Sequence, residues 1–106
     1  MNQILHNNSG ENIKLSSDYS FEIQTMQLFF KNKIVELKNT EKSLLYVLIK
    51  NIGNIVSSND IKDYVWNEKV VCDNTLRTQI KKLRAKLKEN FIINIRNSGY
   101  KIENNA

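Results

Sequence analysis

The segment Asn74–Lys88, read NTLRTQIKKLRAKLK, leaves this chain few ways to fold. Leu76, Ile80, Leu83 and Leu87 are spaced by four, three and four residues. On an α-helix that spacing sets all four side chains in one stripe. The same segment carries Arg77, Lys81, Lys82, Arg84, Lys86 and Lys88 and no acid. At about 100° per residue, Asn74, Thr78, Lys81 and Ala85 point away from the stripe, with Arg77 and Lys82 beside them. The stripe must be buried, so the rest of the chain has to build a core behind this helix and leave its cationic face in water.

Charge follows the same division. The chain has 106 residues and a net charge of +5. Residues 1–37 sum to −1, residues 38–73 to zero and residues 74–106 to +6. Such asymmetry points to a polyanionic partner, with nucleic acid ahead of an anionic membrane surface. A solvated basic helix without a ligand is the plainer account of the same residues. Short polar and cationic side chains on a helix pinned from behind suit the major groove of duplex DNA.

The length fits one domain with a real core, and 41% hydrophobic content is ordinary for a globular chain. Cys72 is the single cysteine, so no internal disulfide can form and a reducing compartment fits. No apolar run approaches the ~18 residues of a membrane span, and the polar start MNQILHNNSGEN has no secretion-signal core. No metal or other cofactor is expected. His6 has no second ligand type near it, and there is no phosphate-cradling Gly-rich loop and no paired carboxylates for catalysis. An enzyme is therefore not expected.

In chain order, residues 1–12 read as a flexible arm or linker. Four β-prone runs follow, at 13–15, 19–23, 25–30 and 33–37, with alternation in Tyr19, Phe21, Ile23 and in Met26, Leu28, Phe30. Asn32 suits a tight turn. These aromatics read as core; a stacking platform for RNA would carry basic residues, and this region is slightly acidic. A first helix is expected from about Thr40 to Asn51, capped by Asn39 or Thr40, burying Leu44, Leu45, Leu48 and Ile49 and ending at Gly53. After the extended piece 54–56, Ser57 with Asp60 resembles a capping box. It opens a second helix to about Asn67, with Ile61, Tyr64, Val65 and Trp66 available to the core. The basic helix starts near Asp73. Alternation returns at 91–96 and 100–103 around Asn97-Ser98-Gly99, a hairpin with Arg96 at its tip and Lys101 on the return strand; the tail 104–106 is expected to be disordered. The overall class is α+β: an N-terminal antiparallel meander, three helices and a C-terminal hairpin, the plan of a winged helix-turn-helix.

The chain resembles the DNA-binding domain of OmpR/PhoB-type two-component response regulators. The resemblance runs from about Ile13 to Ile102. It rests on Leu37…Glu41…Leu44-Leu45, Asn51-Ile52-Gly53-Asn54-Ile55-Val56-Ser57 and Val65-Trp66. The strongest stretches are Thr75-Leu76…Ile80-Lys81-Lys82-Leu83-Arg84-Ala85-Lys86-Leu87 and Ile95-Arg96…Gly99-Tyr100-Lys101. It implies sequence-specific binding of double-stranded DNA and transcriptional regulation in the cytoplasm. Arg77, Thr78, Lys81 and Lys82 would face the groove, Asn74, Thr75, Gln79 and Arg84 would contact phosphates, and Arg96 would be the wing arginine, with Lys101 beside it. The loop Asn67, Glu68, Lys69, Val70, Val71 corresponds to the segment that contacts RNA polymerase. The resemblance also implies a receiver domain and sensor kinase in a longer protein, with a naturally receiver-free regulator as the alternative, and a tandem homodimer on a direct-repeat operator.

Four positions depart from the family pattern. Lys38 stands where the family has Thr, and Asn74-Thr75 where it has Arg-Thr. Arg77 stands where an acid is common, and Asn97 where the wing has Gly. A winged-helix module that binds a protein through Val70, Val71 and the sheet is the alternative to DNA binding; it predicts only weak, non-specific affinity for duplexes. Membrane attachment through the basic helix is disfavoured, because the apolar stripe is narrow and the core needs it.

Overall fold

The computed structural model describes residues 12–67 and 69–103. The arm expected at 1–12 (save Asn12) and the tail at 104–106 lie outside the described residues. The chain divides after Glu36 into two compact units.

The first unit is an antiparallel four-stranded sheet in the order β1 (Asn12–Lys14), β2 (Tyr19–Glu22), β3 (Gln27–Phe30), β4 (Lys33–Val35). The meander is the expected one, with strand ends displaced by one or two residues. Local chemistry sets two of its turns. Ser16 Oγ accepts the N–H groups of Asp18 (3.3 Å) and Tyr19 (3.2 Å), which folds the chain back between β1 and β2. Lys31 and Asn32 both adopt positive φ (51° and 68°) between the paired residues Phe30 and Lys33. That is the two-residue hairpin turn whose twist matches its strands. Tyr19, Phe21 and Leu28 are buried, and the Tyr19 ring packs at a tilt against its cross-strand partner Phe30, with centroids 4.8 Å apart.

The second unit holds three helices and a three-stranded sheet. Helix α1 spans Asn39–Lys50 and buries Leu44, Leu45, Val47, Leu48 and Ile49. Its N-cap is Lys38, not Asn39 or Thr40. A lysine side chain has no acceptor, so Glu41 reaches back instead, its Oε1 taking the Lys38 N–H at 2.8 Å. At the other end Asn51 Nδ2 donates to Val47 O at 2.8 Å, and Gly53 (φ 85°) turns the chain so that its N–H meets Ile102 O. Helix α2 spans Ser58–Trp66, and its cap is the expected one: Ser57 Oγ accepts the Asp60 N–H at 3.1 Å. Of the four side chains expected in the core, only Ile61 is fully buried; Tyr64 is 45% exposed and Val65 and Trp66 are half-buried.

Helix α3 spans Asp73–Ala85 and buries Leu76, Ile80 and Leu83. It stops short of Lys88. Lys86 and Leu87 donate to Leu83 O and Arg84 O in a tighter last turn, which leaves Leu87 half-buried beyond the helix. The sheet runs β5 (Val56–Ser57), β7 (Gly99–Ile102), β6 (Ile92–Ile95). β6 and β7 are the expected hairpin, and Asn97 takes the left-handed conformation its turn requires (φ 63°). β5 adds a third strand, pairing Val56 with Tyr100 and Ser57 with Gly99. A Cβ at Gly99 would overlap the Val56 carbonyl oxygen and lie 2.9 Å from Ser57 Cα, so this pairing admits no side chain.

Candidate nucleic-acid interface

Burial of Leu76, Ile80 and Leu83 fixes the rotation of α3 and hence what it offers to solvent. Asn74, Arg77, Thr78, Lys81 and Lys82 are exposed on it, and Thr75 and Gln79 are half-buried at its margins. The acid Asp73 sits in its first turn and Lys82 and Arg84 in its last, each favoured by the helix dipole.

Two contacts hold the ends of α3. Lys62 Nζ on α2 donates to Asp73 Oδ1 at 2.7 Å. That bond and the Lys62 charge hold the Asp73 carboxyl below its ordinary pKa. At the far end Lys86 Nζ meets Glu41 Oε1 at 2.6 Å, tying the end of α3 to the start of α1. Burial pushes the Glu41 carboxyl up, but the Lys86 ammonium and the Lys38 N–H outweigh it, so its pKa is lowered. Cys72, exposed at the N-cap of α3, lies 3.5 Å from Thr75 Oγ1. That hydroxyl and the first backbone N–H groups of the helix lower its thiol pKa.

Arg96 is exposed in the turn between β6 and β7. Between it and α3 lies a cleft of about 570 Å³. Arg77 and Asp73 line its helix side, Asn94, Arg96, Asn97 and Ser98 its wing side, and Ser57, Ser58 and Asn59 its floor. The structure thus brings Arg77 and Arg96 to one cleft, together with the start of α2. The last group was not among the sequence-derived candidates. The capping pair Ser57 and Asp60 was the available signal, because it marks a helix end with open N–H groups.

Two candidates have partners within the domain. Arg84 is half-buried, and its Nη2 donates to the Ile92 carbonyl at 2.7 Å. Lys101 is paired with Glu103 at 3.0 Å. In the loop between α2 and α3, Val70 is fully exposed, Asn67 and Lys69 are exposed and Val71 is half-buried; Glu68 lies outside the described residues. Among the described residues no group of three potential metal ligands occurs, and no helix is long and apolar enough to cross a membrane.

The family model for the C-terminal domain of transcriptional regulatory proteins matches residues 31–102. The chain belongs to this family. Its curated relatives are response regulators and regulatory proteins. It is 39% identical over 94 residues to a protein described as an epidermin response regulator of Staphylococcus epidermidis, covering 85% of this chain and 46% of that protein. It is 30% identical over 100 residues to the regulatory protein VanR of Enterococcus faecium, covering 88% of this chain and 43% of VanR. The chain spans less than half the length of these relatives. Among solved structures, the DNA-binding domain of CpxR from E. coli superimposes with a TM-score of 0.78 at 22% identity, covering 91% of this chain and 99% of that one. The RstA DNA-binding domain of Klebsiella pneumoniae, solved in complex with the RstA box, gives 0.76 at 21% identity, covering 88% and 97%. The domain thus has the winged helix-turn-helix fold of those DNA-binding domains and belongs to a family of transcriptional regulatory proteins.

Proposed function

We propose that this domain reads a specific duplex by laying α3 in the major groove, with Arg77, Thr78, Lys81 and Lys82 toward the bases. Asn74, Thr75 and Gln79 meet phosphates at the helix margins, and Arg96 enters the adjacent minor groove or meets its backbone. The supporting observation is the exposed set Arg77, Thr78, Lys81 and Lys82 opposite the buried side chains Leu76, Ile80 and Leu83, beside a cleft that Arg96 lines. Arg77, where the family often has an acid, favours guanine through its bidentate match to O6 and N7.

The test is a selection of bound duplexes from a random pool, followed by titrations on the selected and a scrambled duplex. Arg77→Ala and Lys82→Ala are expected to cost about 1–3 kcal/mol on the selected duplex and to relax specificity. Arg96→Ala is expected to weaken both duplexes more evenly. Equal losses on both duplexes from all three changes would exclude base reading by the helix. Weak affinity for every duplex would favour the protein-binding alternative.

The wider assignment follows the family. We read residues 13–103 as the output module of a longer, cytoplasmic response regulator, with 1–12 as the linker to a receiver domain that a sensor kinase phosphorylates. Two copies would sit in tandem on a direct-repeat operator. The fully exposed Val70, flanked by Asn67, Glu68, Lys69 and Val71, supports RNA polymerase as the partner of the α2–α3 loop. Val70→Asp is expected to leave DNA affinity unchanged and to lower transcription in a reconstituted system.

A further inference from the structure

Arg84 belongs by position to the cationic flank of α3, and a phosphate contact would be its ordinary role. Its surroundings say otherwise. One Nη2 N–H donates to the Ile92 carbonyl at 2.7 Å. The Nε atom is buried without a hydrogen-bond partner. A guanidinium that tolerates a desolvated N–H is held by its packing, because an unmet buried donor costs free energy. Ile92 opens β6, an edge strand of the three-stranded sheet, and the same strand runs directly into Arg96 at the wing tip. Its other neighbour, β7, fixes the register of β6 through Ile92↔Ile102 and Ile95↔Gly99. The hydrogen bond from Arg84 fixes the base of that strand against α3.

We infer that Arg84 is a positioning residue: it sets the separation between α3 and the wing, and so the placement of Arg96 relative to Arg77, rather than binding a phosphate. This rests on the reading of α3 and the wing as the DNA-binding surface. A winged helix must match the fixed offset between a major groove and the neighbouring minor groove, so a wing free to swing at its base loses contacts at its tip.

A double-mutant cycle with Arg96 tests it on the duplex selected from the random pool. Specific binding by the wild-type domain tests the functional reading first and separately. Arg84→Ala alone is expected to weaken binding about 10-fold, and in the Arg96→Ala background less than about 2-fold, since the contact it positions is already gone. The salt slope should fall by about 0.9 on Arg84→Ala in the wild-type background and stay unchanged in the Arg96→Ala background. A slope reduced by about 0.9 in both backgrounds, with additive losses, would overturn the proposal and make Arg84 a phosphate ligand. If Arg84→Ala does not fold, the wild-type domain decides the matter. The Arg84 side-chain N–H resonances, followed through a titration with the same duplex, should stay protected and unshifted. A downfield shift on DNA addition would overturn the proposal.

Discussion

Glu41 shows how one side chain does two jobs that the sequence pattern assigns to none. Its carboxylate caps α1 through the Lys38 N–H and holds Lys86 at the end of α3, at 1% exposure. Its pKa is lowered on folding from an ordinary 4.5, so the stabilisation is complete above that value and is lost as pH falls through the folded pKa. Glu41→Gln is expected to remove this acid-side loss, read as a flatter plot of urea midpoint against pH below 4.5. Glu41→Ala is expected to cost about 2 kcal/mol by urea unfolding; Lys86, 35% exposed, can regain water, which keeps the figure below that of a fully buried pair. At Gly99 the constraint is space: Gly99→Ala forces a methyl into the Val56 carbonyl and is expected to cost about 1–3 kcal/mol, read in the same assay.

At the scale of elements, α2 depends on its cap. The helix has nine residues and one fully buried side chain, so little packing supports it. Ser57→Ala is expected to cost about 1 kcal/mol and to raise amide exchange across 58–62 before the rest of the domain. The same shortness explains what could be read from the residues and what could not. The stripe Leu76, Ile80 and Leu83 was legible because its spacing follows the 3.6-residue helical period, and the meander because alternation repeats over several strands. Leu87 misled because the apolar spacing continues past Ala85 while the backbone tightens into another turn. Tyr64 and Trp66 were expected inside because they are large and apolar; a helix this short offers the core only its Ile61 face. β5 was visible as an extended piece, yet its pairing with Gly99 was not, since two residues carry no period and their partner lies more than 40 positions away. The exposed cations of α3 follow from its own wheel. The commitment of Arg84 to Ile92 depends on where another strand lies, which no local pattern encodes.

For the molecule as a whole, the +6 concentrated in residues 74–106 decides how it meets its partner. Binding should weaken steeply with salt, with a log–log slope of about −0.9 per phosphate neutralised. A slope near zero in a fluorescence-anisotropy series would mean that this charge is not in contact with DNA. The sheet order β5-β7-β6 also bears on how the protein is made. β7, the middle strand, is the last described strand to be synthesised, and it carries the buried Tyr100 and Ile102. A ribosome that has just added Ser98 therefore holds a chain whose second unit cannot close. A nascent chain halted there should be cut readily by protease, and the same unit should become resistant once Ile102 has cleared the exit tunnel.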